Sequence, residues 1–134
     1  MVRKRSNASS GFTLIELMMV ISIILILVSI ATPIYKTSIL HAREAVLHDD
    51  LFNLRNTIQQ YTLDKQRAPQ SLQDLVTANY IKQIPKDPIT GSTETWTVEE
   101  EDTLLSVDQS QPGIIDVHSG STQVSSEGTA YNTW

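Results

Sequence analysis

The chain passes through three regimes of hydrophobic and polar patterning. From Phe12 to Tyr35, 24 consecutive residues carry a single charge, Glu16. At about 1.5 Å of rise per residue, such a run is long enough, with some tilt, to cross a hydrocarbon core of about 30 Å. Beyond Tyr35 the unbroken run gives way to a period. Leu40, Leu47, Leu51, Leu54, Ile58 and Tyr61 are spaced by 7, 4, 3, 4 and 3 and fall on one stripe of a helix. Arg43, Glu44, Asp49, Asp50, Arg55 and Lys65 fall largely off that stripe. The two stretches read as one helix of roughly fifty residues, stopped by Arg67-Ala68-Pro69.

Short elements separated by turn signals make up the third regime. Ser71-Leu72-Gln73-Asp74 has the spacing of a capping box, so a second helix starts there and ends near Asn79, with Leu72, Leu75 and Val76 on one face. Two prolines and a glycine punctuate Ile84-Pro85-Lys86-Asp87-Pro88-Ile89-Thr90-Gly91 as a turn. Strand patterns follow at residues 93–99, around Trp96 and Val98, and at Gly113–His118, rich in Ile114, Ile115 and Val117, with a weaker third at 104–107. The expected fold class is α+β: a long N-terminal helix, its first half transmembrane, packed against a small antiparallel sheet head. Trp96, Tyr131 and Trp134 are expected to anchor the C-terminal loop to the sheet.

Length and charge narrow this picture. The chain has 134 residues, so the part beyond the apolar run is one small domain that gains from a long helix to pack against. It has no cysteine, which excludes disulfide staples and thiolate chemistry. Without residues 1–11 the formal charge moves from -5 to -8, with 7 basic and 15 acidic residues left. An acidic surface argues against nucleic acid. The densest acidic run, Glu99-Glu100-Glu101-Asp102, reads as a solvated turn or strand end. Arg3, Lys4 and Arg5 before the apolar run favour a cytoplasmic N-terminus. The competing reading is a conventional signal peptide cut after Ser29-Ile30-Ala31; against it stand the length of the run, the carboxylate inside it, and Pro33 just past the cut.

A carboxylate at bilayer depth costs about 2.5–3.5 kcal/mol on insertion scales, so Glu16 needs a partner. Gly11-Phe12-Thr13-Leu14-Ile15-Glu16-Leu17, after a basic leader and before a run containing Pro33, resembles the class III signal of type IV pilins and type II secretion pseudopilins. The resemblance implies a prepilin peptidase that cuts between Gly11 and Phe12 and methylates the new amine of Phe12. The chain then divides into a cleaved leader, 1–11, a transmembrane and filament-core helix, 12–35, and a pilin-like periplasmic head, 36–134. It implies that Glu16 neutralises the Phe12 amine of a neighbouring subunit and sets the axial register; a partner within the chain is the other reading. Pro33 corresponds to a proline where the family's helix melts on assembly, and equally fits a plain kink at the membrane exit.

Ile84-Pro85-Lys86-Asp87-Pro88 is similar to the loop after the second helix of major pseudopilins, with Ile89-Thr90-Gly91 where that family has Trp-Gly-Asn. The resemblance implies a non-enzymatic subunit of the type II secretion pseudopilus, polymerising through its N-terminal helix to drive protein export across the outer membrane. It would be single-pass in the inner membrane. Its partners would be further copies of itself, the peptidase-methyltransferase, minor pseudopilins and the inner-membrane secretion platform. A type IV pilus subunit is the alternative within the family, and a secreted soluble domain the alternative outside it.

No catalytic constellation stands out, and His41, His48 and His118 lack the spacing of a metal site. In the resembling family a C-terminal loop binds calcium. Here Asp116, Ser119, Ser121 and Glu127, with Ser125 and Ser126, are the candidate ligands, and Gly120 and Gly128 allow a tight backbone; a plain polar loop is the competing reading.

Overall fold

The computed structural model describes residues 11–101 and 112–134. Contacts divide the chain into two compact units, Met1–Ser38 and Ile39–Trp134. One helix, α1, runs from Leu14 to Lys65 and contributes to both.

In the first unit α1 is apolar on every side, and none of its apolar window is buried. Four of its hydroxyls return to their own helix. Ser22 Oγ donates to the Met18 carbonyl at 2.7 Å, Thr32 Oγ1 to Val28 and Thr37 Oγ1 to Pro33 at 2.8 Å, and Ser38 Oγ to Ile34 at 2.9 Å. The helix is uninterrupted at Pro33, although that residue has no amide hydrogen for the ladder.

In the second unit the stripe expected from the sequence forms the core: Leu47, Leu51, Leu54, Ile58 and Tyr61 are all buried. Each fully buried aliphatic side chain contributes about 1.5–3 kcal/mol, so these positions dominate the packing of the unit. Two positions differ from expectation. Leu40 is exposed, whereas Glu44, expected off the stripe, is buried at 5% exposure. It fills the gap of seven between Leu40 and Leu47, so the buried positions 44, 47, 51, 54, 58 and 61 keep the 3-4 alternation with a carboxylate at their head.

The second helix, α2, spans Leu72–Thr77, two residues shorter at its end than the pattern suggested, with Leu75 fully buried. Asp74 Oδ2 accepts the amides of Gln70 and Ser71 at 2.9 and 3.1 Å, fixing the chain's entry into it. The following turn is organised by Asp87, which is fully buried. Its Oδ1 accepts the amides of Ile89 and Thr90 at 2.8 and 3.3 Å, and its Oδ2 accepts the Ser119 hydroxyl at 2.5 Å.

Strands β1, Thr97–Glu101, and β2, Gly113–His118, form a two-stranded antiparallel sheet among the described residues. β2 coincides with its sequence pattern; β1 starts and ends later than expected. The indole of Trp96 donates to the Pro85 carbonyl at 2.8 Å, so this residue serves the turn and the ladder begins at Thr97. The weak strand expected at 104–107 lies outside the described residues. A bulge gives β2 its two-faced character: Glu99 pairs with Asp116 and Glu100 with Ile114, leaving Ile115 as the extra residue. Strict alternation would put Ile114 and Asp116 on one face, but the bulge lets Ile114 and Val117 both enter the core while Ile115 stays exposed.

Candidate functional site

Two places gather the chemistry anticipated from the sequence. At the first, Thr13 precedes α1 and caps it: its Oγ1 accepts the Glu16 amide at 3.3 Å and its carbonyl accepts the Leu17 amide at 3.2 Å. Glu16 is thereby the third helical residue, where the positive end of the helix dipole favours a carboxylate. Its side chain is exposed, Phe12 is 73% exposed, and no ion pair engages Glu16 among the described residues. A Cβ on Gly11 would meet nothing within 4 Å, so packing does not require glycine there.

The second place joins α1 to residues 119–134. Glu44 Oε1 accepts the Ser126 amide at 2.7 Å and the Tyr131 hydroxyl at 2.8 Å, while Oε2 accepts the Ser126 hydroxyl at 2.5 Å. His41 Nδ1 stands 3.4 Å from Oε2. Burial alone would push the Glu44 carboxyl up, but the hydrogen bonds from Ser126 and Tyr131, with the charge of His41, outweigh it and hold the group below its ordinary 4.5. Burial, the bond to Glu44 and the carboxylate's charge push the Tyr131 phenol up to about 12.

Trp134 stacks on His48 with ring centroids 4.1 Å apart and meets Tyr131 edge-on at 5.1 Å. Tyr131 and Trp134 therefore dock the C-terminal loop on α1 as well as on the sheet expected from the sequence, where His118 Nδ1 of β2 stands 2.5 Å from the Trp134 main-chain oxygen. Arg55 ties the same corner to β2: its Nε donates to Asp116 Oδ1 at 2.5 Å, and its Nη2 donates to the main-chain oxygens of Trp134 at 2.7 Å and Val117 at 3.0 Å. Burial would raise the Asp116 carboxyl, yet the Arg55 bond, the Val117 amide and the charges of Arg55 and His118 bring it below its ordinary 3.8.

The four candidate metal ligands each have their own surroundings. Asp116 pairs with Arg55, Ser119 Oγ donates to Asp87, Ser121 Oγ accepts the Gln123 amide at 3.3 Å, and Glu127 is exposed. A different group comes together on the sheet: one ligand atom each from Glu99, Asp116 and His118 lie within 4.8 Å of one another. His118 Nε2 is 3.7 Å from both carboxylates, and Arg55 already supplies a positive charge to Asp116. An apolar groove of about 380 Å³ beside α1 is lined by Ile58, Gln59, Thr62, Leu63, Ala68, Ile114 and Ile115, none of them titratable.

The prokaryotic N-terminal methylation motif matches residues 6–32, which contain Gly11, Phe12, Glu16 and the start of the apolar run. Type II secretion system core protein G of Vibrio cholerae is 33% identical, the match covering 63% of this chain and 68% of that protein. The protein of the same name from Aeromonas hydrophila is 35% identical over 63% of this chain and 70% of its own length, and that of Klebsiella michiganensis 32% identical over 65% and 72%. The chain belongs to the type II secretion system core protein G family. No solved structure matches it.

Within this member of the core protein G family, three side chains matter more than the sequence suggested. Glu44 and Arg55 looked like solvent-side charges, and Asp87 looked like part of a turn. The seven-residue gap in the stripe was the signal for Glu44, and the Asp-Pro-x-x-Gly run was the signal for Asp87. Arg55 gave none, since its partners lie 61 to 79 positions away.

The lowered Glu44 carboxyl has a consequence in acid. A carboxyl lower in the folded state than in the unfolded chain contributes stability that is complete above its unfolded value, here 4.5, and is lost as pH falls through its folded value. Asp50 acts oppositely, because burial and the charges of Asp49 and Asp87 raise its carboxyl. The melting temperature of the wild type is expected to fall as pH drops below 4.5, and the fall should be shallower in Glu44→Gln, which has no carboxyl at that position to protonate. Thermal melts across an acid series check this; equally steep falls in the two proteins would contradict it.

Proposed function

We propose that this chain is a structural subunit of a type II secretion pseudopilus, anchored by α1 in the inner membrane with its second unit on the periplasmic side, and polymerising through the apolar helix to drive protein export across the outer membrane. The observation that carries the reading is a helix whose apolar window buries none of its surface and which opens with a lone exposed carboxylate, in a member of the core protein G family. In a filament, neighbouring helices supply the missing cover. A prepilin peptidase cuts after Gly11 and methylates Phe12. The open space around Gly11 supports this, because a glycine that the fold does not need is explained by an enzyme that must reach the peptide next to it. The new amine of Phe12 on one subunit then meets Glu16 of another, two charges that would each be costly alone in an apolar filament core.

Arg3, Lys4 and Arg5 orient the precursor with its N-terminus in the cytoplasm. Further partners on this reading are minor pseudopilins and the inner-membrane secretion platform. The mature protein, purified from a host that carries the secretion machinery, should give an N-terminal peptide starting at methylated Phe12 in mass spectrometry. A start at Met1 would remove the processing step, and a start at Thr32 would replace the whole reading with that of a conventionally secreted domain.

A further inference from the structure

The family resemblance implies calcium in the loop between Asp116 and Glu127, and the donors present do not suit that ion. Calcium takes about 6–8 oxygens at roughly 2.3–2.6 Å, usually with several carboxylates among them. This stretch contains two carboxylates, Asp116 and Glu127. Asp116 already bonds Arg55, whose charge repels a cation, and Glu127 is exposed. The hydroxyls are committed as well. Ser119 Oγ bonds Asp87 and accepts the Ser121 amide, Ser125 Oγ accepts the amides of Glu127 and Thr129, and Ser126 Oγ bonds Glu44.

We infer that residues 119–134 are ordered without calcium, by the buried carboxylate of Glu44 reaching into the loop from α1. Three donors converge on this one group, two from Ser126 and one from Tyr131, across 82 and 87 positions of sequence. A carboxylate that is 5% exposed and accepts three protein hydrogen bonds costs far more to leave unpaired than to keep, so the loop closes over it or the helix face opens. Around this centre the loop supplies its own remaining order: Val124 bridges to Ala130, and Trp134 covers His48. A bound cation would hold such a loop by drawing its oxygens inward to a positive centre. Here a negative centre on the helix draws in N–H and O–H donors, the inverse polarity, and the donor set of the loop matches it.

The test is thermal unfolding and limited proteolysis of the full chain in detergent, with calcium added or removed by the calcium-selective chelator EGTA. The wild type should melt at the same temperature under both conditions. Glu44→Gln should melt lower and be clipped faster within residues 119–134, and calcium should restore neither property. Ser126→Ala, a milder change that keeps the carboxylate, serves if Glu44→Gln does not fold, and should show the same faster clipping. Adding Glu44→Gln to Tyr131→Phe should lower the melting temperature less than Glu44→Gln does alone, because the two side chains share one interaction. An ion that binds only the folded chain must raise its melting temperature with concentration. A saturable rise with calcium, a fall with EGTA, strictly additive losses in the double variant, or clipping of the variants no faster than of the wild type would overturn the inference.

Discussion

Glu16→Ala is expected to abolish filament assembly while cleavage after Gly11 and methylation of Phe12 continue. The substitution leaves Gly11 and Phe12 in place, and alanine is a better helix former than glutamate, so α1 keeps its start at Leu14. Insertion becomes easier, since removing a carboxylate at bilayer depth relieves about 2.5–3.5 kcal/mol on insertion scales. Assembly loses more than insertion gains. Every Phe12 amine entering the apolar filament core would then arrive as an uncompensated charge, and breaking a buried pair by removing one member costs about 3–5 kcal/mol at each subunit contact. A filament repeats that loss at every step. Processed, methylated Glu16→Ala protein that is recovered only from the membrane, with no sheared or pelleted filaments, is the predicted result; filaments at wild-type abundance would end the pairing argument.

The second large effect is structural. Gly120→Ala is expected to destabilise the second unit severely, because a Cβ at this position would lie 1.9 Å from the Thr95 carbonyl oxygen and 2.9 Å from its carbon. The obstacle is backbone, not the end of a flexible side chain. Residues 92–96 would have to move away, and with them the Trp96 indole that holds the Pro85 carbonyl. Overpacking of this kind costs about 1–3 kcal/mol and at times more, which in a domain of this size lowers the melting temperature by about 4–24 °C. Gly128→Ala is the natural control: its φ of 86° strains a side chain, but nothing lies within 4 Å of the new methyl. Circular dichroism melts of the two variants should differ clearly, the Gly120 variant melting lower; equal melting would show that the close approach at Thr95 relaxes at little cost.

How far the fold was legible depends on the range of the interactions that decide each element. α1 was readable almost to the residue, because an apolar run, a stripe of leucines and a proline stop are all local signals. β2 was readable for the same reason, its branched residues being bounded by Gly113 and His118. β1 was displaced, since Trp96 is apolar and fits an alternating pattern, yet its indole hydrogen needs an acceptor and finds one in a turn eleven residues back. Glu44 shows the same limit more sharply. A charge in a helix is ordinarily solvent-facing, and only the loop 82 residues downstream turns it inward. The start of the helix carried one unused signal. Thr13-Leu14-Ile15-Glu16 has the spacing of a capping box, and Thr13 indeed caps α1 by accepting the Glu16 amide.

The hydroxyls of the apolar helix have a mechanical meaning. Ser22, Thr32, Thr37 and Ser38 satisfy themselves on their own backbone, so they ask nothing of a passing neighbour. On the proposed filament reading, these hydroxyls do not fix how far along the axis one helix sits against the next, and that position is left to side-chain packing and to charge. On that reading the lone carboxylate, the one charge between Phe12 and Tyr35, is the axial marker of the apolar half of the helix. A subunit inserted from the membrane would then come to rest where its carboxylate meets the amine of a neighbour, so the register of the whole filament would be written in one residue per chain.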